Sequence, residues 1–220
     1  MELVDAIKTR KSIRAFLPRP VPRPVLAEIL ELAAHSPSWS NTQPWEVAVI
    51  GGEIMNEVKA ALVEAATSGV SPASDIPQVG FAEPHTSRSR ELGLRLYQVL
   101  GISREDREKR QEWTLQGQRF FDAPNALIFY LDEALGPWSL FDLGLFSQSV
   151  MLAALTFDLG TCSMAAVVRY PQVLRRISGI PDNKKIVLGM AIGYPDWQHP
   201  ANKLVSPREA VAIFTQWHGL

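Results

Sequence analysis

Three cations and a hydroxyl group occur within five positions near the start of the chain, in Arg10-Lys11-Ser12-Ile13-Arg14. This set of side chains suits a phosphate group, because a forked guanidinium donates to two oxygens at once and a hydroxyl adds a short hydrogen bond. The alternative is a solvated basic helix end, since cations also interact favourably with the C-terminal end of a helix dipole. Taken alone, so short a basic pattern fits either interpretation.

The overall composition limits the classes of protein to which this cluster can belong. The 220 residues are 46% hydrophobic and 20% charged, as expected for a folded chain, and one domain over residues 1–220 is the simplest division. With 22 basic and 23 acidic residues, the net charge of −1 provides no field for nucleic acid or an anionic membrane. Any anion must therefore be held by a local cluster of cations.

Cys162 is the one cysteine of the chain. It excludes an intramolecular disulfide and a multi-cysteine metal site, and it suits a reducing cytosol. Glu2 and Asp5 interrupt the N-terminal residues, so we expect no secretory signal. The most apolar stretch, residues 141–159, contains Asp142 and Asp158 and falls short of the roughly 20 residues that span a bilayer. We expect a cytoplasmic protein that binds neither membrane nor nucleic acid.

Hydrophobic periodicity gives the elements that must position these residues. It predicts strands over residues 45–50, 125–131, 161–168 and 186–194, and helices over 25–33, 54–67, 87–100, 103–121, 141–159 and 171–178. Ser103 is the expected N-cap of the helix over residues 103–121, and Gly160 is expected to end the helix over residues 141–159. Residues 68–84 form a long loop, of a kind that is usually functional or mobile. This pattern favours an α+β domain with a central mixed β-sheet flanked by helices.

Two features predict an oligomer. Residues 141–159 are apolar around most of the helix perimeter, which implies burial on most sides. The chain also ends in an apolar stretch, containing Val211, Ile213, Phe214 and Trp217, that needs cover. The simplest arrangement is a two-fold homodimer.

Several common catalytic motifs are absent, including the Walker A loop, the dinucleotide-binding Gly-x-Gly-x-x-Gly, His-Glu-x-x-His and Gly-x-Ser-x-Gly. The four histidines are scattered and no carboxylate pair stands out, so we predict neither a metal site nor a catalytic side chain. What remains could hold a cofactor. Lys203 and Arg208 form a second basic pair, and the amides of Asn41 and Gln43 offer donors and acceptors for a pyrimidine-like ring. A polar turn that leads into a strand is the alternative for that loop.

Five segments in this order resemble the FMN-dependent nitroreductase family along essentially the whole chain. They are Arg10-Lys-Ser-Ile-Arg14 with its proline-rich connector, Ser36-Pro-Ser-Trp-Ser-Asn-Thr-Gln-Pro-Trp45, Asp158-Leu-Gly-Thr-Cys162, Ile192-Gly-Tyr-Pro195, and Asn202 to Arg208. The resemblance implies a nitroreductase-like α+β fold, an intertwined homodimer and bound FMN.

The resemblance also assigns expected roles to residues of the FMN site. Arg10, Ser12 and Arg14 match the N-terminal FMN contacts, with Lys11 acting partly through its backbone. Met164 and Ala165 match the strand end whose backbone lies near the flavin N5, and Arg208, with Lys203, matches the C-terminal phosphate contacts. The loop that packs on the flavin from the partner subunit is matched by Pro37, Ser38, Trp39 and Asn41, with Gln43 nearby.

The chain departs from the family pattern at two places. Ser163-Met-Ala-Ala166 stands where many relatives carry a glycine or glutamate after the strand turn, so backbone contacts are expected there and a side-chain role is not. Trp39 replaces a smaller residue, and it is expected to narrow or stack over the site. Residues 84–119, together with the overlapping run Gln118-Arg-Phe-Phe-Asp-Ala-Pro124, look most like the subgroup that reduces nitrobenzoates and similar aromatics.

The implied chemistry is a ping-pong reaction in which NADPH or NADH reduces the flavin and a small aromatic acceptor, nitroaromatic or quinone-like, then reoxidises it. FMN would carry the reaction at N5, with no metal and no catalytic side chain. Three alternatives stay open. They are another flavin reaction on the same fold with an enone or halogenated acceptor, a non-catalytic FMN carrier or sensor, and a flavin-free protein that binds a phosphate ligand.

Overall fold

Among the described residues, four β-strands lie at the centre and eight α-helices surround them. The computed structural model describes residues 2–219. The strands are Glu46–Gly51 (β1), Asn125–Asp132 (β2), Gly160–Met164 (β3) and Lys184–Gly193 (β4). The helices are Leu3–Thr9 (α1), Arg23–Ala33 (α2), Gly52–Thr67 (α3), His85–Leu100 (α4), Arg107–Gln118 (α5), Pro137–Leu155 (α6), Pro171–Ser178 (α7) and Val211–Phe214 (α8).

The strands form one sheet in the order β1-β2-β4-β3, and every neighbouring pair is antiparallel. The α+β class with a central sheet and flanking helices is confirmed, but the prediction of mixed strand directions is corrected. β2 and β3, which α6 connects, run in the same direction, yet β4 lies between them and they never pair. Within residues 2–219, parallel pairing is limited to an isolated bridge between Ser12 and Thr161.

Each face of the sheet carries its own hydrophobic core. Ala126 and Ile128 of β2 point into the core that includes α3 and α7, whereas Leu127, Phe129 and Leu131 point into the core that includes α2 and α6. This alternation is the two-residue period of a strand that is buried on both faces. The sheet is therefore the middle layer of three.

The central helix α6 begins and ends four residues earlier than predicted. Pro137 occupies its first turn, where the missing N–H of proline needs no partner. At the other end, Asp158 adopts a left-handed backbone (φ 57°) and the Leu159 N–H donates to the Ala154 carbonyl at 3.0 Å. This is the bonding of a Schellman motif, so Asp158 takes the position usually held by glycine. The prediction that Gly160 ends the helix is therefore wrong, and Gly160 is instead the first residue of β3.

Two further boundaries, the start of α5 and the end of β3, differ from the prediction by four residues. Helix α5 is capped by Asp106, whose carboxylate accepts from the Lys109 N–H at 3.1 Å, and not by Ser103. Strand β3 ends at Met164 instead of Val168, because the chain turns there and forms a 3₁₀ turn over Val167–Arg169. The helix predicted over residues 171–178 is confirmed.

Helix α6 is the one helix within residues 2–219 that is long and apolar enough to cross a membrane, judged by length and composition. The sequence prediction that no segment approaches this length is therefore corrected. Core helices of globular proteins meet the same criterion, and Leu143, Phe146, Val150 and Ala154 of α6 lie in the core beneath the sheet.

Candidate functional site

The basic segment near the N-terminus lies along the edge of the sheet. Ser12 bridges to Thr161 of β3, and the Ile13 N–H donates to the Thr161 carbonyl at 2.9 Å. Gly160 permits this approach, because a Cβ atom there would lie 2.4 Å from Cγ1 of Ile13. The side chains of Arg10 and Ser12 are consequently held beside β3.

The structure brings Arg208 from the C-terminal segment close to Arg10. Burial lowers the pKa of Arg10, and the positive charge of Arg208 lowers it further. Arg208 donates from Nη1 to Oγ of Ser206 at 2.7 Å, and no carboxylate forms an ion pair with either arginine within residues 2–219. Two neighbouring guanidinium groups without an ion-paired carboxylate can bind an anion.

Cys162 lies directly behind this cluster. Burial raises the pKa of its thiol, while the charge of Arg14, a side-chain hydrogen bond with Ser12 and the charge of Arg10 act in the opposite direction. The thiol is thus a neutral, buried neighbour of the three residues predicted for the N-terminal FMN contacts. The sequence interpretation of Cys162 as a small buried residue agrees with its burial, but sequence alone did not place it under Ser12.

Asn202 joins the N-terminal segment to the chain that follows β4. Its Oδ1 accepts from the Arg14 N–H at 2.7 Å, and its Nδ2 donates to the carbonyls of Ala15 and Asp196, both at 2.8 Å. The side chain is 1% exposed. Asn202 therefore fixes the backbone on which Arg10, Ser12 and Arg14 depend.

Lys11 and Lys203, the two lysines predicted to contact FMN, are placed less favourably for binding an anion than the arginines are. Nζ of Lys11 donates to the Asn202 carbonyl and lies 5.2 Å from the ring centroid of Trp197. The side chain of Lys11 is thus engaged by the C-terminal segment, which leaves its backbone for a ligand. Lys203 is exposed at the end of the 3₁₀ turn Pro200–Lys203, and the described residues form no hydrogen bond or ion pair with its side chain.

The loop over residues 37–43 is held on α6, apart from the arginine cluster. The Trp39 N–H donates to both carboxylate oxygens of the buried Asp142, at 3.2 and 3.3 Å, and the Gln43 N–H donates to Oγ of Ser38 at 3.0 Å. Ser40, Asn41 and Gln43 all adopt positive φ values. Left-handed backbone at three nearby non-glycine residues is strained, and strain of this kind is concentrated at functional sites.

Within the described chain, no hydrogen bond, ion pair or aromatic contact joins residues 37–43 to residues 10–14. Contacts of these kinds therefore do not join the two halves of the predicted site within one protomer. The loop instead borders an apolar pocket of about 490 Å³ that is lined by Pro37, Ser38, Trp39, Trp138, Phe141, Asp142 and Leu145.

The end of β3 carries the remaining predicted residues. Met164 is buried in the core, whereas Ala165 is exposed and its carbonyl accepts from Nε2 of Gln78 at 2.9 Å. A strand rises about 3.3 Å per residue, so Ala165 lies on the order of 10 Å beyond Cys162 along the sheet. The strand therefore leads from the arginine cluster to an exposed backbone turn.

Comparison with known proteins places the chain in a family. The Nitroreductase family model matches residues 7–194. A 4-nitrobenzoate reductase of Pseudomonas putida is 34% identical over 214 residues, which cover 97% of this chain and 94% of that protein. A nitrobenzene nitroreductase of Ectopseudomonas oleovorans is 36% identical, with coverage of 96% and 94%.

Solved structures agree with this placement. An FMN and NADPH-dependent nitroreductase, NfnB of Sphigopyxis sp. strain HMH, matches with a TM-score of 0.95 at 34% identity over the whole of both chains. The FMN-dependent nitroreductase NfnB of Mycobacterium smegmatis, in complex with NADPH, matches with a TM-score of 0.93 at 30% identity, covering 98% and 97%. The chain belongs to the nitroreductase family.

Proposed function

We propose that this protein is a homodimeric flavoenzyme that binds FMN and uses NADPH or NADH to reduce nitroaromatic compounds. The observation that carries the proposal is the proximity of Arg10 and Arg208 near Ser12. Ser12 bridges to β3, the strand that leads to the exposed turn at Ala165. The relatives named for nitrobenzoate and nitrobenzene reduction support the choice of acceptor.

The residues present fit the phosphate and ribityl parts of FMN. Arg10 and Arg208 supply guanidinium groups with no acidic partner in the described chain, and Ser12 supplies a hydroxyl. A phosphate dianion would offset the repulsion between the two cations. The ring system would then extend along β3 toward Met164 and Ala165, where the backbone is accessible.

When bound, FMN would supply two-electron redox chemistry between a nicotinamide hydride donor and a nitro group, whose reduction with two protons gives a nitroso group and water. The chain's own part is to bind and orient. Asn202 fixes the backbone of Arg14, and Arg10 and Arg208 stabilise the phosphate. One face that serves donor and acceptor in turn implies ping-pong kinetics.

The apolar pocket beside the 37–43 loop supports an aromatic acceptor. Trp39 is 65% exposed, and its ring centroid lies 6.2 Å from that of Trp138 in an edge-to-face arrangement. The ring of Phe141 lies 6.4 Å beyond Trp138, again edge to face. Aromatic side chains arranged in this way offer further rings a favourable packing surface.

A homodimer would unite the two halves of the site. Residues 37–43 make none of the contacts described above with residues 10–14 of their own chain, so a two-fold partner is needed to bring them together. Large exposed apolar side chains are available for the interface: Leu3, Val4, Ile7, Val211, Ile213, Phe214 and Trp217. Apolar surface of this extent is typical of association sites.

We also propose a cytoplasmic location. The support is the single cysteine, Cys162, which is free and buried, as expected where thiols are kept reduced. The lack of disulfide-forming cysteines in the full sequence agrees with that compartment.

Absorbance spectroscopy tests the proposal. Purified protein is incubated with FMN, desalted, and measured before and after anaerobic addition of NADPH or NADH, and 4-nitrobenzoate is then added. We expect flavin bands that bleach with the nucleotide and return with the nitro compound. Flavin bands that neither nucleotide bleaches would instead favour a carrier, and a colourless protein would exclude FMN.

A further inference from the structure

The turn that follows β3 is held by two glutamine side chains from distant parts of the chain. Nε2 of Gln78 donates to the Ala165 carbonyl at 2.9 Å, and Nε2 of Gln118 donates to the Ala166 carbonyl at 3.5 Å. The N–H groups of Ala165 and Ala166 have no acceptor among the described residues. Both carbonyls of the turn are therefore restrained, while two consecutive donors stay free.

Gln78 reaches this turn because its loop is anchored on the core. The Ala73 N–H donates to the Arg169 carbonyl at 2.9 Å, and Oδ2 of Asp75 lies 2.7 Å from Nη2 of the buried Arg175. The same carboxylate accepts from the Ile186 N–H at 2.8 Å. The 68–84 loop is thus pinned to α7 and β4 only three residues before Gln78, although it contains neither helix nor strand.

Gln118 approaches the turn from inside the protein. Its side chain is 4% exposed, and its Oε1 has no hydrogen-bond partner in the described chain. An unpaired buried acceptor disfavours folding, and an apolar side chain of similar size would remove that cost. Stability therefore gives no reason for an amide at this position, whereas a second restraint on the Ala166 carbonyl, which also accepts from the Arg169 N–H at 3.3 Å, does.

Peptide geometry links the Ala165 carbonyl to one of the free donors, the Ala166 N–H. In a trans peptide, the C=O and the following N–H point to opposite sides of one rigid plane. The bond from Gln78 to the Ala165 carbonyl consequently sets the direction of the Ala166 N–H. The Ala166 carbonyl, which accepts from both Gln118 and the Arg169 N–H, belongs to the next peptide, so Gln118 restrains the turn and not a free donor directly.

We propose that Gln78 and Gln118 are positioning residues: Gln78 aims the Ala166 N–H at the reactive edge of the flavin, and Gln118 restrains the turn that carries this donor. This inference rests on the proposed function, in which the ring of FMN lies beside that turn. Neither glutamine is expected to contact the flavin itself. Each acts through a carbonyl of the turn.

The test compares Gln78→Glu and Gln118→Met with the wild type and with Gln111→Ala, an exposed glutamine of α5. Each substitution keeps the size of the side chain at the turn while removing the amide donor. The readouts are the anaerobic rate of flavin reduction by NADPH, the absorption maximum of bound FMN, the FMN affinity and the thermal midpoint. We expect Gln78→Glu to slow flavin reduction by about tenfold or more, because small misplacements at a reacting centre have effects of this size.

The expected pattern separates positioning from a structural role. Gln118→Met should slow flavin reduction and shift the absorption maximum while its thermal midpoint stays level or rises, and Gln111→Ala should match the wild type. Wild-type rates and spectra in both turn variants, with FMN bound, would overturn the positioning role and leave the proposed function intact. A wild-type protein that binds no FMN would overturn both.

Discussion

Arg10 and Arg208, from opposite ends of the chain, lie close enough for the charge of Arg208 to reinforce the lowering of the Arg10 pKa that burial begins. Like charges placed together raise the free energy of the folded protein unless an anion neutralises them. The fold nevertheless restrains the segment that carries Arg10, through the bridge from Ser12 to Thr161 of β3 and the bond from the Arg14 N–H to Asn202. The pairing therefore costs stability in the free protein and favours binding of a phosphate.

Replacing Arg10 removes half of this arrangement. We expect Arg10→Ala to weaken FMN binding by about 1.5–3 kcal/mol, the range of a hydrogen bond to a charged group, which corresponds to roughly a ten- to hundredfold rise in Kd. Fluorescence titration of FMN measures the change. Arg176→Ala, an exposed arginine in the last turn of α7, is the matched control. Equal affinity in the two variants would remove Arg10 from the site.

Asn202 is expected to matter for stability as well as for the site. Asn202→Ala leaves the Arg14 N–H and the carbonyls of Ala15 and Asp196 without their partner in a buried position. We expect the free energy of unfolding to fall by at least ~2 kcal/mol, because buried unpaired groups carry the full desolvation penalty. Urea denaturation gives the value, with Asn56→Ala on the exposed face of α3 for comparison. A loss as small as that of the α3 variant would contradict this role.

Local residue types and hydrophobic periodicity were sufficient to predict most of the helices and strands. The helix over residues 171–178 has proline at its first position and a left-handed glycine just after its end, and its predicted bounds match the structure. The buried strand β2 is likewise evident from its continuous apolar run. Where a boundary depends on unusual chemistry the prediction fails, as at Asp158, which adopts the left-handed conformation normally left to glycine.

Only some of the residues of the candidate site can be predicted from the sequence, for a physical reason. Residue type reveals cations and hydroxyls, so Arg10, Ser12 and Arg208 are recognisable as anion ligands. The residues that orient the backbone act across long stretches of chain: Asn202 bonds to Arg14, and Gln78 bonds to Ala165. No local period records such contacts, and neither role was predicted. The antiparallel pairing of all four strands was not predicted for the same reason, since the order and direction of paired strands also depend on contacts between distant residues.

The thiol of Cys162 should make stability depend on pH in the alkaline range. Burial raises its pKa, and the charges of Arg14 and Arg10 with the Ser12 hydrogen bond offset this only in part. The folded chain thus retains the thiol proton more tightly than the unfolded chain does. The resulting stabilisation is complete below the ordinary thiol pKa of about 8.5 and is lost as the pH rises above it.

A comparison of wild type with Cys162→Ala checks the sign of this effect. We expect the free energy of unfolding of the wild type, relative to the variant, to be constant below about pH 8 and to decline from about pH 8.5 upward. Urea denaturation over that range provides both values. A difference that stays constant to the alkaline limit, or that increases, would contradict the assignment of Cys162 as a buried neutral thiol.

Retention of flavin should require the dimer, because the loop that carries Trp39 makes no hydrogen bond or aromatic contact with residues 10–14 of its own described chain. Ile7 is 56% exposed on α1, next to Leu3 and Val4, and a charge there would disfavour an apolar interface. We expect Ile7→Asp to sediment as a monomer and to lose FMN on desalting. Lys8→Asp, which adds an acidic side chain at the adjacent exposed position, should remain dimeric and yellow. A monomeric fraction that keeps its flavin absorbance in sedimentation velocity would show that one chain suffices for the site.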